Sequence, residues 1–448
     1  MSEVTQAAEH GLLRNRSFMA IWGAQILSQT AAAAVTSALI ILVAEITHSN
    51  TSSSILILLA IIPPVLFGFA GGVIVDRVDR RLVLVVTNAL RAVAIVPLIL
   101  AGESLTTAYL VNFLVATVTI FFVPAEASTI PAIVRKQDLL AANSLFTFTF
   151  NGAFLIGFII LAPIVVSLYG FYVLWFTIAT MFAIASVLCL TLPTKAPTAR
   201  LLSVDLAEIA VSETRRGIAD AFHYLRSTPL VTWAMVYIAL TYTLVAIAGA
   251  LAPGFVREVL RLGERNVVVL VAPAGIGVVL GLGVLNVVSR RIGRPHAIGV
   301  GLMVTCVALA VLAAARPFAD VFAVSRFGGG LGSALPFFVG IVSVTAFAFG
   351  VAYSFITVPA MTLLQEELPE EIRGRVFGVL NSLVSVFSFL PLVIVGPLAD
   401  VWGIAPVFVL AALIVFGVWF AGRSERLRSG RGSGAATTQV TQQKEPLG

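Results

Sequence analysis

Long apolar runs alternate with short charged stretches along most of the chain. Twelve runs reach about 20 residues, the length that an α-helix needs to cross the hydrocarbon core of a bilayer. Eleven of them contain no Asp, Glu, Lys or Arg, and the third contains a single one, Arg91. The pattern therefore predicts twelve membrane-spanning helices at 17–44, 53–75, 82–102, 105–125, 141–168, 170–193, 229–252, 267–288, 295–315, 335–364, 376–399 and 401–421.

Composition excludes a water-soluble protein and gives no support to an enzyme. The chain is 59% hydrophobic and only 11% charged, whereas soluble domains carry about 25% charged residues. Both cysteines, Cys189 and Cys306, fall within predicted spans, so no disulfide framework or metal-ligand spacing is indicated. The four histidines are scattered and no nucleotide-binding loop is present. We therefore expect neither catalysis nor a cofactor.

The distribution of Lys and Arg predicts the orientation in the membrane. If the N-terminus is cytoplasmic, 22 of the 28 basic residues lie inside, five lie outside and one, Arg91, lies within the membrane. Basic residues concentrate in cytoplasmic loops, so both termini are predicted to be cytoplasmic. The net charge of +6 follows from this bias, and a nucleic-acid partner is not needed to explain it.

The longest interruption divides the spans into two groups of six. The predicted organisation is a cytoplasmic segment at 1–16, a first half at 17–193, a cytoplasmic loop with an amphipathic helix at 194–228, a second half at 229–421 and a disordered tail at 422–448. Short matches relate the halves: VPAEAS ends span four and VPAMTL ends span ten, and NSL follows each. Two related six-helix halves are a known transporter architecture.

A short charged link, GGVIVDRVDRR at 71–81, joins spans two and three on the predicted cytoplasmic side. Asp76 lies where span two leaves the bilayer, and a carboxylate there can face the N-terminus of another helix, whose dipole favours negative charge. The alternative is that any short inner loop is basic. Two interleaved aspartates and a preceding glycine fit that alternative less well.

This link resembles the signature of the major facilitator superfamily, which reads Gly, three residues, Asp, Arg, any residue, Gly, Arg, then Arg or Lys. Asp79 departs from this signature, because the family has glycine at that position. A weaker second-half copy of the link, the echo RRIGR at 290–294, has Arg290 in place of the acid. The resemblance covers essentially the whole chain. The loop sequences after span four and before span eleven resemble those of the macrolide-efflux and siderophore-exporter branch.

The resemblance implies a cytoplasmic gate. In relatives the motif aspartate faces the N-terminal end of span eleven, and a motif arginine pairs with an acid low in span four. Those roles map to Asp76, Arg80 and Glu126. The residues expected to form the gate are Gly72, Asp76, Arg77, Arg80, Arg81 and Glu126.

Polar residues within spans are candidates for contact with a substrate. A charge deep in a span by default faces an internal cavity, so Arg91 is one candidate; the alternative is a structural arginine bonded to carbonyls or to an amide such as that of Asn112. Other candidates lie on the spans that line the cavity in the superfamily, and for these the alternative is helix–helix packing. The full set is Gln25, Gln29, Arg91, Asn112, Trp233, Tyr237, Thr241 and Tyr353.

The expected function is secondary transport without ATP, by alternating access, in the plasma (inner) membrane of a bacterium. The branch resemblance favours export of a small amphiphilic organic compound, drug-like or a secreted metabolite, by a monomer. Import, or a channel or sensor that has lost transport, are the alternatives. Proton antiport is implied by the resemblance alone, because no acid lies in the middle of a span. The acids near span ends that remain as proton carriers are Glu45, Glu126 and Asp400.

Overall fold

The computed structural model describes residues 12–75, 78–100, 102–194, 228–325, 331–367 and 387–442. All regular secondary structure in these ranges is helical. Short 3₁₀ turns lie at Leu12–Arg14, Lys136–Asp138 and Glu264–Val267, and a π-helical turn lies at Ile156–Leu161. The longer helices are α1 (Arg16–Thr47), α2 (Asn50–Val75), α3 (Arg80–Leu100), α4 (Leu105–Ile133), α5 (Leu139–Leu155), α6 (Ala162–Cys189), α7 (Pro229–Glu258), α8 (Val268–Ile292), α9 (Arg294–Ser325), α10 (Leu331–Glu367), α11 (Phe387–Trp402) and α12 (Ile404–Gln442).

The helices follow the predicted spans. Within the ranges above, nine helical stretches are long and apolar enough to cross a membrane, and shorter apolar helices lie at Asn50–Pro64 and Phe387–Trp402. One of the nine, Ala141–Cys189, holds two predicted spans that meet at Gly170, where φ is 80° and ψ is 175° and the helix is interrupted. The all-α membrane architecture is confirmed, and the number of twelve stays a prediction.

Local sequence explains how α1 begins and ends. The Asn15 side chain accepts a hydrogen bond from the backbone N–H of Phe18 at 3.2 Å, which satisfies one free donor of the first turn. At the other end His48 adopts a left-handed conformation with φ 50°, and its N–H donates to the carbonyl of Ala44. The chain therefore turns sharply there, and α2 starts at Asn50.

The chain divides into two compact units. The first contains 1–217, 245–275 and 381–404, and the second contains 218–244, 276–380 and 405–448. The core of the first unit surrounds α1, from which a continuous run between Leu39 and Val43 is almost wholly buried. The first unit includes parts of α7, α8 and α11 together with the first six predicted spans, and the predicted boundary between two six-helix halves stays a prediction.

Two predicted segments have different outcomes. The amphipathic helix of the central loop lies outside the described residues, which resume at 228. The backbone of α12 is helical to Gln442, although disorder was predicted from 422 onwards. No proline lies between Pro406 and Pro446, and adding residues to an existing helix avoids the unfavourable nucleation step.

Candidate functional site

Arg91 lies at a buried polar node in the first unit. Its side chain is 1% exposed, and its Nη1 donates to Ser28 Oγ on α1 at 2.8 Å. The Ser28 hydroxyl in turn donates to Asn88 Oδ1 at 2.8 Å. The guanidinium lies 4.4 Å from the centre of the Phe122 ring on α4 and 5.7 Å from that of Phe182 on α6. Four helices therefore meet around one positive charge.

Glu126 on α4 is the negative partner of this node. Its side chain is 7% exposed and interacts electrostatically with Arg91. Among the residues that the structure describes, Arg91 Nε and Nη2 and Glu126 Oε1 have no hydrogen-bond partner. Burying polar atoms without a partner is costly, so unpaired atoms at this depth are candidates for contact with a substrate or an ion. Arg91, one of the eight predicted substrate contacts, itself carries two of these atoms.

The predicted cytoplasmic gate is only partly described. Gly72 lies in α2, whereas Asp76 and Arg77 lie outside the described residues. Arg80 Nη1 donates to the backbone carbonyl of Ser128 at 2.6 Å, in the last turns of α4. In the part of the chain that the structure describes, Arg80 forms no ion pair with Glu126. Arg81 donates to Thr194 Oγ1 at 3.2 Å. The arginine thus reaches the predicted helix, and its partner there is a carbonyl oxygen.

The second-half echo of the link also contacts the helix that corresponds to α4. Arg294, at the start of α9, forms a two-pronged ion pair with Glu366 at the end of α10, with Nη2 3.0 Å from Oε1. The hydrogen bond from Arg294 lowers the pKa of Glu366. Arg80 and Arg294 occupy equivalent positions in the two copies. Each arginine therefore connects its charged link to the helix that carries a VPA motif, which is α4 for Arg80 and α10 for Arg294.

Two of the candidate amides in the first unit are held by neighbouring helices. Gln25 Nε2 donates to the carbonyl of Phe146 at 3.2 Å, and its Oε1 accepts from Thr149. Asn112 Nδ2 donates to the carbonyl of Leu56 at 2.6 Å, so it is not the partner of Arg91. Gln29 is half-buried. For Gln25 and Asn112 these contacts fit the helix-packing alternative.

The aromatic candidates lie in the second unit and form two pairs. Trp233 and Tyr237 are one turn apart on α7, with ring centres 5.7 Å apart. Tyr353 on α10 meets the edge of Tyr242 on α7, with ring centres 6.3 Å apart. Thr241 is buried, and its hydroxyl donates to the carbonyl of Tyr237 in its own helix. Aromatic rings with polar tips suit an amphiphilic ligand.

A second charged cluster lies in the first unit, near the ends of helices that are predicted to face outside. Glu45, at the end of α1, accepts from Arg265 Nε at 2.9 Å, and His48 Nδ1 lies 2.9 Å from Glu264 Oε1. Asn50 Nδ2 donates to Glu258 Oε1 at 3.2 Å. These contacts join the turn between α1 and α2 to the end of α7 and the 3₁₀ turn before α8.

Comparison with known families assigns the fold and the general activity. The sequence model described as Major Facilitator Superfamily matches residues 21–390. The chain belongs to the major facilitator superfamily. It is therefore a membrane transporter of small molecules and not an enzyme, as the composition and the motif at 71–81 predicted.

Relatives within the superfamily are distant. The chain is 25% identical over 367 residues to a protein of Mycolicibacterium fortuitum named multidrug efflux pump Tap, which covers 79% of this chain and 81% of that protein. It is 21% identical to an uncharacterized transporter of Bacillus subtilis (strain 168), YfiS, over 79% of each chain. A crystal structure of a POT family transporter aligns with a TM-score of 0.69 at 12% identity, covering 91% of this chain and 95% of that chain. A crystal structure of the nucleoside transporter NupG (D323A mutant) aligns with 0.67 at 14%, covering 91% and 99%. These two likenesses show the superfamily fold alone.

Sequence reasoning missed several residues around both clusters. Ser28 and Asn88 were not selected because a lone hydroxyl or amide in a span is common and usually supports packing. The second charged cluster, at the α1–α2 turn, was missed because its paired residues lie more than 200 positions apart in the sequence. A usable signal was present in the crowding of Arg257, Glu258, Glu264 and Arg265 directly after a predicted span.

Proposed function

We propose that this transporter exports small amphiphilic organic compounds across the plasma membrane of a bacterium by alternating access. The observation that carries the proposal is the buried node of Arg91 and Glu126, which puts a guanidinium group and a carboxyl group inside a membrane-spanning unit. Charged residues within spans are rare, and by default they mark an ion or substrate pathway. The aromatic pairs of α7 and α10 supply apolar faces for an organic substrate.

Export is favoured over import by sequence relationship. The relative named a multidrug efflux pump aligns with most of this chain at 25% identity. The nucleoside and POT family transporters share the fold at 14% identity or less, so they carry no argument about direction. The resemblance of the loops to the macrolide-efflux and siderophore-exporter branch points the same way.

The cytoplasmic gate is retained as part of the proposal. Gly72, Asp76, Arg77, Arg80 and Arg81 keep their assigned role, with Arg80 acting through the Ser128 carbonyl as described above. A charge–dipole contact at the edge of the membrane can form and break at a modest cost, since such contacts contribute about 0.3–1 kcal/mol when exposed. This property suits a contact that must part in every transport cycle.

Glu126 is proposed as the acid that carries a coupling proton. Of the three acids near span ends, Glu45 is paired with Arg265, and Asp400 accepts four hydrogen bonds. Glu126 is buried, has one oxygen without a partner among the described residues, and interacts electrostatically with Arg91. A carboxylate in this setting can be neutralised by a proton without losing an established hydrogen bond at Oε1.

The direction of transport is tested by accumulation in cells. Cells that make the protein and cells that lack it are loaded with a panel of fluorescent amphiphiles before and after the proton gradient is collapsed. We expect lower accumulation in cells that make the protein, and we expect the difference to vanish on collapse. Higher accumulation than in the empty cells would contradict export and indicate an importer.

Glu126→Gln is expected to abolish accumulation driven by the gradient while preserving substrate exchange. The reason is that glutamine keeps the size of the side chain but cannot take up or release a proton. The measurement is counterflow of a labelled substrate and substrate-induced proton movement in proteoliposomes. Glu103→Gln is the matched control, because Glu103 is an exposed acid outside both clusters. Proton movement in Glu126→Gln equal to that in the control would exclude Glu126 as the proton carrier.

A further inference from the structure

Asp400, near the end of α11, holds the first turn of α2. Its Oδ1 accepts from the backbone N–H of Asn50 at 2.7 Å, and its Oδ2 accepts from that of Thr51 at 3.0 Å. The hydroxyls of Ser49 and Thr51 donate to Oδ2 at 2.7 and 2.6 Å. One carboxylate thus satisfies free N–H groups at a helix N-terminus, where the helix dipole also favours negative charge.

Gly396 permits this contact by allowing α11 to approach α2 closely. A Cβ atom on Gly396 would lie 2.7 Å from both the Ser54 Oγ atom and the Thr51 Cα atom. Such separations are below normal contact distances, so a larger residue would push the helices apart. Gly396 and Asp400 are four residues apart and therefore lie on one face of α11. That face is the one against α2.

The same spacing of glycine and aspartate occurs at the end of α2. Gly72 and Asp76 are four residues apart, as Gly396 and Asp400 are. Gly403 follows Asp400 by three residues, as the family motif requires of its second glycine, and it has φ 83°. In the predicted topology α2 and α11 run in opposite directions, so their C-terminal ends lie on opposite sides of the membrane.

We propose that Gly396 and Asp400 form an outer latch that holds the transporter closed to the outside. This inference rests on the alternating access of the proposed function. The outer latch is the counterpart of the cytoplasmic gate at Gly72 and Asp76. Asp400 of α11 binds the N-terminus of α2, and the family resemblance implies that Asp76 faces the N-terminal end of span eleven on the opposite side of the membrane. Since only one side is open at a time, the two contacts are engaged in turn.

The surroundings of the outer latch fit a contact that opens and closes. Its neighbours are polar pairs that link the same α1–α2 turn to the end of α7 and to the turn before α8: Glu45 with Arg265, His48 with Glu264, and Asn50 with Glu258. In the Glu45–Arg265 ion pair the side chains are 30% and 41% exposed, and the His48 side chain is 64% exposed beside the buried Glu264. Ion pairs that water can reach contribute little to stability, so they part easily.

Amide exchange measured by mass spectrometry tests the outer latch in the full-length protein without any substrate. Hydrogen bonds to a charged group contribute about 1.5–3 kcal/mol, so Asp400→Asn is expected to speed exchange in 45–54 and 257–267 by about ten- to a hundredfold. Exchange in 78–84, beside the cytoplasmic gate, is expected to slow. Asp76→Asn is expected to do the reverse at both ends.

The slowing at the cytoplasmic side separates a latch from a simple helix cap. If Asp400→Asn speeds exchange in 45–54 alone, Asp400 only caps α2 and the proposal is wrong. If exchange equals that of Glu103→Gln, an exposed acid in a loop on the same predicted side, the proposal is also wrong. Thr51→Val removes one of the four hydrogen bonds and keeps those from the backbone N–H groups of Asn50 and Thr51. We expect it to give smaller changes of the same sign. Because no substrate is added, failure of the proposed export leaves this result unaffected.

Discussion

Arg91→Met is expected to destabilise the protein severely and to abolish transport. The substitution removes a guanidinium that is 1% exposed, bonded to Ser28 and placed over the ring of Phe122. At a pH where Glu126 is ionised, its charge would then remain buried without a compensating one. Removing one partner of a buried pair of opposite charges typically costs about 3–5 kcal/mol. The melting temperature and the yield of monodisperse protein in detergent measure the loss.

A double substitution separates the charge pair from the packing of Arg91. In Arg91→Met with Glu126→Gln neither charged side chain remains. Replacing both members of a buried ion pair often leaves protein stability unchanged or raises it. We therefore expect the double variant to melt well above the single variant and close to the wild-type protein. It should still fail to couple transport to protons, because Glu126 is absent. A double variant as unstable as Arg91→Met would show that packing of the arginine matters more than its charge.

Gly157→Ala is expected to give the second large effect, on folding. Gly157 lies in the π-helical turn between α5 and α6, and a Cβ there would collide with the carbonyl oxygen of Thr30 on α1. It would also lie 2.9 Å from the Cβ of Ala33. The obstacle is mainly backbone, which cannot swing aside as a flexible side chain can. Overpacking of this kind typically costs about 1–3 kcal/mol, and a smaller amount of folded protein after extraction would report it.

Gly152→Ala is the matched control for this prediction. Gly152 lies five residues earlier in α5, and a Cβ there would meet no atom within 4 Å. Alanine is favoured over glycine within a helix by about 1 kcal/mol, so this variant should be as stable as wild type or more so. Equal melting temperatures for the two variants would contradict a close contact of the π-helical turn with α1 at Gly157.

The positions of the helices were predictable from the sequence because hydropathy is a property of consecutive residues. The apolar run predicted at 17–44 became α1 (Arg16–Thr47), and the run at 105–125 became the first part of α4. The motif at 71–81 gave the superfamily, which the match over 21–390 confirmed. The same local signals cannot say where a helix extends into a polar segment, as α12 does beyond 422.

The partners of the buried and charged side chains were decided only by the tertiary structure. The sequence offered Asn112 as a partner for Arg91, but Arg91 bonds to Ser28 and Asn112 bonds to Leu56. Asp400 contacts Asn50, which lies 350 residues earlier in the chain. Hydropathy decides which segments leave water, but an apolar helix can present any of its faces to its neighbours. Which face it presents depends on the packing of side chains from distant segments, and a linear pattern does not contain that information.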